Sequence, residues 1–373
     1  MAYTTIDDPS AHFQAETYTG AGANTAVTFS GNSDLKPDLL WIRNRGAGYG
    51  SFWVDSTRGI SYAQNSSNAP YLEVQSTALE NNNQNWMQSV NTDGFTTGIS
   101  EHINSNSGST FVAWAWKGNE GTTSSNTDGT ITTTLQTNST AGLSIGTYTG
   151  SSANSGYATI GHGLGAIPDL VIIKGRDGNG LGGAAQYWVV GAPNVFGNGT
   201  RNHVFLDNQA AMASNTTIWY NTNFTTTTIP IGPHAAINGN TAKYVFYAFK
   251  NVQGFSKIGK YKGNDQDPDG AFVYTGFKPA FVLIKNYDSA LYHWQQYDTA
   301  RSPTNEDHGD LFTTDTADAE ITGNNGNAID LLSNGFKCRG GYDGFNGPNT
   351  NQFYIAFAEN PFVTSTGIPT TAR

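Results

Sequence analysis

Three stretches of the chain run almost continuously apolar after a proline and close on a cation: LKPDLLWIRN (35–44), AIPDLVIIKG (166–175) and FKPAFVLIKN (277–286). Such runs read as strands buried on both faces, with proline early, where its missing N–H costs least. Each is preceded by a short polar phrase, TYTG (17–20), TYTG (147–150) or KYKG (260–263). Each is followed by SFWVDST, QYWVVGA or YHWQQYD, which set Trp53, Trp188 and Trp294 in similar registers as core residues. Each unit ends in a long apolar strand: FVAWAWKG, YVFYAFKN or FYIAFAEN. Val112, Trp114 and Trp116 alternate there with Phe111, Ala113 and Ala115, and the counterparts around Ala248 and Ala356 do the same. Both faces are apolar, which predicts a central strand, and the small alanine admits a close neighbour.

Four markers in one order, three times, are an internal repeat. Their spacing, about 110 to 130 residues, is the size of a domain and too long for a solenoid or a propeller blade. The expected units are residues 1–119, 120–254 and 255–373. Helical periodicity is confined to QSTALENNN and TADAEITGN, each good for a turn or two. The expected class is therefore all-β, three tandem antiparallel β-sandwiches. The segment 118–142 reads as a flexible linker whose TITTTLQT end adds a strand to the second unit, while NVQGFSKIG makes a stiff second junction.

Composition sharpens this reading. Charged residues are 13% of the chain, about half the usual share, so Thr, Asn, Ser and Gly carry its solubility. Forty-four glycines and 13 prolines suit many tight turns. A net charge of −10 without a basic cluster argues against nucleic-acid binding. One cysteine, Cys338, excludes an intramolecular disulfide and a Cys-rich zinc site, and reads as a small apolar strand residue. No apolar run reaches the roughly 18 residues of a membrane span, and MAYTTIDDPSAHFQ lacks the features of a secretion signal. The expectation is folding in a cytoplasm, without membrane insertion.

Chemistry is sparse. The seven histidines are scattered, with no HExxH or other metal-ligand pair, and no GxSxG elbow occurs. HGLG (162–165) reads as a turn. Acidic residues fall mostly in polar loops, unlike the carboxylate pair of a glycosidase. GNDQDPDG begins like a calcium loop through Asp265, Asp267 and Asp269, but the twelfth place is Gly276 instead of Glu. A solvated turn and a weak calcium site are both open to it. Trp86, Trp219, Tyr220, Tyr342, Asp343 and Phe345 sit among Asn, Asp and Gly. They are either sugar-binding rings flanked by amides and a carboxylate, or staples for their own loops.

Taken together, MAYTTIDDPSAHFQ, PDLLWIRNRG with VDSTRG, FVAWAWKG, HGLGAIPDLVIIKGR, GFSKIGKYKG, FVYTGFKPAFVLIK, DTARSP, IDLLSNGFKCR and IAFAENPF resemble structural proteins of marine and cyanobacterial tailed phages. The resemblance covers nearly the whole chain. It implies a non-enzymatic virion protein of tail-fibre type, with lectin-like jelly-roll (concanavalin-like) domains. The implied role is binding a host-surface polysaccharide; the alternative is a purely architectural head decoration or tail adaptor. Implied partners are other virion proteins and further copies of the chain, with a trimer favoured. The family offers no catalytic residues to carry over, and the insertion DGNGLGGAAQ in the second unit departs from its pattern.

Overall fold

The computed structural model describes residues 2–59, 69–83, 86–105, 108–152, 156–179, 186–220, 222–305, 310–323 and 325–370. The fold is all-β, with antiparallel sheets packed as sandwiches. In each repeat the apolar closing strand is central, as its two buried faces require. Thr110–Trp116 lies between Phe13–Thr19 and Leu39–Asn44, Lys243–Phe249 between Leu143–Thr149 and Leu170–Gly175, and Asn351–Pro361 between Ser256–Lys262 and Phe277–Asn286. The registers match: Leu40 faces Ala115, Val171 faces Ala248, and Val282 faces Ala356. A smaller sheet covers one face of each large sheet, formed in turn around Phe95–Thr97, Ala158–Gly161 and Gly335–Cys338.

The other face of all three large sheets turns inward to one shared core. Trp41, Trp53, Trp114 and Trp116 meet Ile172, Val190, Tyr247 and Phe249, together with Phe281, Leu283, Ile355 and Phe357. The void left among these residues is about 20 Å³ and has only apolar walls. The repeats thus form a ring within one chain, and its junctions repeat in cyclic order. The cations that end the three apolar runs are fully buried. Arg43 of the first repeat donates to the carbonyls of Thr313, Thr316 and Asp318 in the third, at 2.9, 3.0 and 2.7 Å. Lys174 of the second donates to Ser76 of the first at 2.8 Å, and Lys285 of the third to Gln209 of the second at 2.8 Å. The receiving segments include QSTALENNN and TADAEITGN, which are not helical. Their carbonyls must stay open to accept from the next repeat's cation, and an α-turn would consume them.

This register corrects one sequence alignment. Trp188 and Trp294 stand at the same position and both carry indole donors into the preceding repeat, to Glu73 O at 2.9 Å and Phe205 O at 2.8 Å. Their counterpart in the first repeat is Ser51: the main-chain N–H groups of Ser51, Trp188 and Trp294 bond Gln75, Asp207 and Asp315 in turn. Trp53 lies two residues further on, still in the core.

Two junctions are ionic and one is apolar. Buried Arg58 bonds Asp55 at 2.5 Å and Glu80 at 2.9 Å, and Arg176 of the second repeat joins Glu80 at 2.8 Å. Buried Arg301 bonds Asp298 at 2.6 Å and Glu320 at 2.8 Å, and Arg45 of the first repeat joins Glu320 at 2.7 Å. The inner-facing rings follow suit, with Tyr247 donating to Asp55 at 2.7 Å and Trp114 to Asp298 at 3.1 Å. At the third set of equivalent positions stand Ala192, Val195, Met212, Tyr287 and Ile355. The backbone contact survives there, Met212 N to Tyr287 O at 2.8 Å, matching Glu80 to Arg176 and Glu320 to Arg45.

The ring has two unlike ends. At one end, each closing strand is preceded by a one-turn helix: Glu101–Asn104, Ala235–Asn238 or Asp343–Asn346. The tyrosine of each TYTG-type phrase holds it, Tyr18 to Ile103 O at 2.7 Å, Tyr148 to Ile237 O and Tyr261 to Phe345 O at 2.5 Å. A Cβ on Gly20, Gly150 or Gly263 would collide with a carbonyl oxygen of that turn, which explains the glycine. At the other end lie the chain termini and both inter-repeat connections. Asp38 binds the N–H groups of Gly118 at 2.7 Å and Glu120 at 3.0 Å, so the start of the 118–142 segment is tied down rather than flexible. Thr133–Asn138 does add a strand to the second sheet. Asp169 likewise binds Asn251 N at 2.6 Å, and Ala280 stands at this position in the third repeat.

Removing one member of a buried ion pair strands the other, typically at about 3 to 5 kcal/mol. Asp298→Ala should therefore destabilise the chain by about that much in urea denaturation. Asp298→Ala with Arg301→Val, which copies the second repeat, should lose less than Asp298→Ala alone.

Candidate functional site

The candidate rings divide sharply by burial. Trp86 is 1% exposed, stacked on Tyr71 at 4.0 Å and edge-on to Phe52 at 4.4 Å. Trp219 is 1% exposed against Phe224, and Phe345 is fully buried, in the place of Ile103 and Ile237 in the other short helices. None of the three offers a face to a ligand. Of the two readings open to them these three take the staple one, because these loops fold back over apolar sheet faces. Cys338 is a buried strand residue, as expected, and burial pushes its thiol up to about 12.

Tyr342 and Asp343, by contrast, are half-buried at the helix-bearing end of the third repeat. They are joined by Tyr292, from the loop that opens the strand Gln295–Asp298. The Tyr292 hydroxyl donates to Asp343 Oδ2 at 2.9 Å, and its ring meets Tyr342 edge-on at 5.5 Å. The bond to the carboxylate raises the Tyr292 phenol above its ordinary value, and Tyr342 is raised by burial. Asn286 fixes the turn through the Asp343 carbonyl at 2.7 Å. Two rings and an oriented carboxylate can cover the C–H face of a sugar and accept its hydroxyls.

Sequence reasoning missed the equivalent cluster in the first repeat. Tyr49 donates to Glu101 at 3.2 Å and stacks on His102 at 5.0 Å. Tyr49 and Tyr292 each precede a strand aspartate, Asp55 or Asp298, by six positions, and Glu101 and Asp343 each begin the short helix. Aligning the repeats on the D-x-x-R phrase instead of on tryptophan would have found them. In the second repeat the same positions hold Gln186 and Ala235. A different pair stands beside its short helix: Tyr220 stacked at 3.8 Å on Tyr157, which is 48% exposed. The insertion around residues 180–185 lies outside the described residues, as does His308.

Other candidates do not assemble. Asp265, Asp267 and Asp269 are exposed, and Asp269 pairs with Lys337 at 3.0 Å. Among the described residues no group of three or more His, Cys, Asp and Glu is placed to hold a metal ion. Contrary to the loop reading of the acidic residues, Asp38, Asp55, Asp207 and Asp298 are buried. Burial raises Asp207 to about 6 and lowers Lys174 to about 8, but both are sealed in a junction. An open groove of about 420 Å³ where repeats one and two join is lined by Lys117, Asn119, Glu120, Thr122 and Asn138, and offers no ring.

The fold and this site define an all-β ring of three sandwich repeats with ring–carboxylate clusters at one end. The chain belongs to the family described as Domain of unknown function (DUF7483), whose model matches residues 8–361. No curated protein and no solved structure matches it. Among the described residues no helix is long and apolar enough to cross a membrane.

Two measurements check this account. Trp86→Ala should cost about 3 to 5 kcal/mol, as for other core aromatics; a much smaller loss would return Trp86 to the list of binding rings. His293 bonds Asp315 at 2.9 Å, which raises its pKa above 6.5. Its stabilisation is then complete below the unfolded value and lost as pH rises through the folded one. The stability gap between wild type and His293→Gln should narrow as pH rises from the unfolded value of about 6.5 through the higher folded one.

Proposed function

We propose that this protein is a non-enzymatic component of a tailed-phage particle that binds a host-surface polysaccharide. The observation that carries the binding role is the Tyr292–Tyr342–Asp343 cluster, with two rings and an oriented carboxylate at a solvent-facing end. The virion setting rests on the resemblance of the motifs to phage structural proteins. A low-charge surface and strands tied into one core suit a part that must persist outside a cell. The threefold packing that a homotrimer would supply is already present within one chain. The proposal therefore takes the single chain as the unit mounted on the particle.

One observation favours the architectural alternative: three repeats around one axis give an outline that suits a threefold position on a shell. Immunogold labelling separates the two readings, since label at the tail end supports host recognition and label over the head supports decoration. In parallel, Tyr342→Ala with Asp343→Ala should lower adsorption of assembled particles to host cells. Normal adsorption by intact mutant particles would reject this cluster as the receptor site.

A further inference from the structure

The ring arrangement makes the clusters of repeats one and three neighbours on the same end. Cyclic contacts repeat in one order around the ring, Arg43 to repeat three, Lys174 to repeat one and Lys285 to repeat two. That order requires all three repeats to point the same way along the axis. Every closing strand leaves its short helix behind and runs toward the end that holds the termini, where Asp7 bonds Ser365 N at 2.6 Å and Thr4 bonds Gln253 O at 2.7 Å. The helix-bearing end is thus free of chain connections between repeats, and it carries both tyrosine–carboxylate pairs.

We propose that this end is a bivalent glycan-binding face, on which Tyr49 and Glu101, at the positions of Tyr292 and Asp343, form a second site with the ring of His102 beside them. The inference rests on the binding role proposed above and adds the number of sites, their placement and the class of glycan. In both sites the phenol holds the carboxylate while a second ring lies beside it, so one oxygen stays directed at the ligand. Among the described residues neither carboxylate has an ion-pair partner, whereas Asp55 and Asp298 in the junctions are each paired with arginine. The ligand is therefore a neutral or amino-bearing polysaccharide, because an acidic one would meet Glu101, Asp343 and a chain of net charge −10. Two sites on one rigid face give avidity for a polymer that neither site has for a short fragment.

The test uses the full chain with soluble mannan, chitosan and alginate as polymeric probes, and with mannohexaose and chitohexaose as short ones. Mannan or chitosan should bind and alginate should not. The matching hexamer should titrate to two sites per chain. Tyr49→Ala and Tyr292→Ala should each reduce that number to one and weaken polymer binding by about 100-fold, and the double variant should bind nothing. Tyr49→Phe and Tyr292→Phe keep the rings and remove the hydroxyl bonds; they serve as folded controls with intermediate loss. One hexamer per wild-type chain, with Tyr49→Ala unchanged toward polymer, would overturn bivalency and leave the proposed binding function standing. Preferential binding of alginate would overturn the glycan class. Failure of the wild type to bind any probe would overturn both the inference and the binding role on which it rests.

Discussion

The fully buried cations at the ends of the three apolar runs are the constraint from which the arrangement follows. A guanidinium or ammonium taken out of water is costly unless its donors are satisfied. Within its own repeat Lys174 donates to the carbonyl of Gln186 and lies over the ring of Trp188, and Lys285 donates to the carbonyl of Tyr292. Main-chain carbonyls of the neighbouring repeat supply one further acceptor to each lysine and three to Arg43. Burial pushes both lysines down to about 8, and burial together with the nearby Arg301 pushes Arg43 down to about 9. A repeat without its neighbours would expose a large apolar sheet face and leave its cation short of acceptors. Three copies in one chain close the cycle.

That closure need not use the same chemistry three times. Asp55–Arg58–Glu80 and Asp298–Arg301–Glu320 build two junctions from charge, and Ala192, Val195 and Met212 build the third from apolar contact. The inner rings change in step, Tyr247 and Trp114 supplying donors where there is an aspartate and Ile355 supplying none. Because the backbone contact is common to all three, side chains are free to vary as a set. A charged set and a packed set are nearly equivalent in stability, whereas half of one is not. The ionic sets also serve specificity, since repeats one and three meet without a covalent connection between them.

The same geometry organises the surface. Connections and termini occupy one end, where Asp38 and Asp169 hold the exits of the closing strands. At the other end the short helices are braced by Tyr18, Tyr148 and Tyr261 from the strands beneath. Turns held so firmly can present side chains in fixed positions, which is what Tyr292 and Asp343 need in order to act together.

How much of this was legible in the chain differs by kind of feature. The central strands were readable, because side chains alternate at period two and both faces of FVAWAWKG and its counterparts are apolar. The repeat was readable as well, down to the matching of Ala115, Ala248 and Ala356. Trp86, Trp219 and Phe345 were left between two readings because a polar neighbourhood does not reveal whether a ring points outward or under its own loop. Tyr49 and Glu101 were missed because their partnership spans 52 positions and is created by two loops meeting at one end. The sequence by itself determined the all-β class, the order of the repeated motifs along the chain and which strands are buried. Only the tertiary structure decided that three inner faces share one core, which repeat receives each cation, and which rings remain at the surface. The reason is that a buried cation is satisfied by main-chain carbonyls, which every residue carries and no residue type announces.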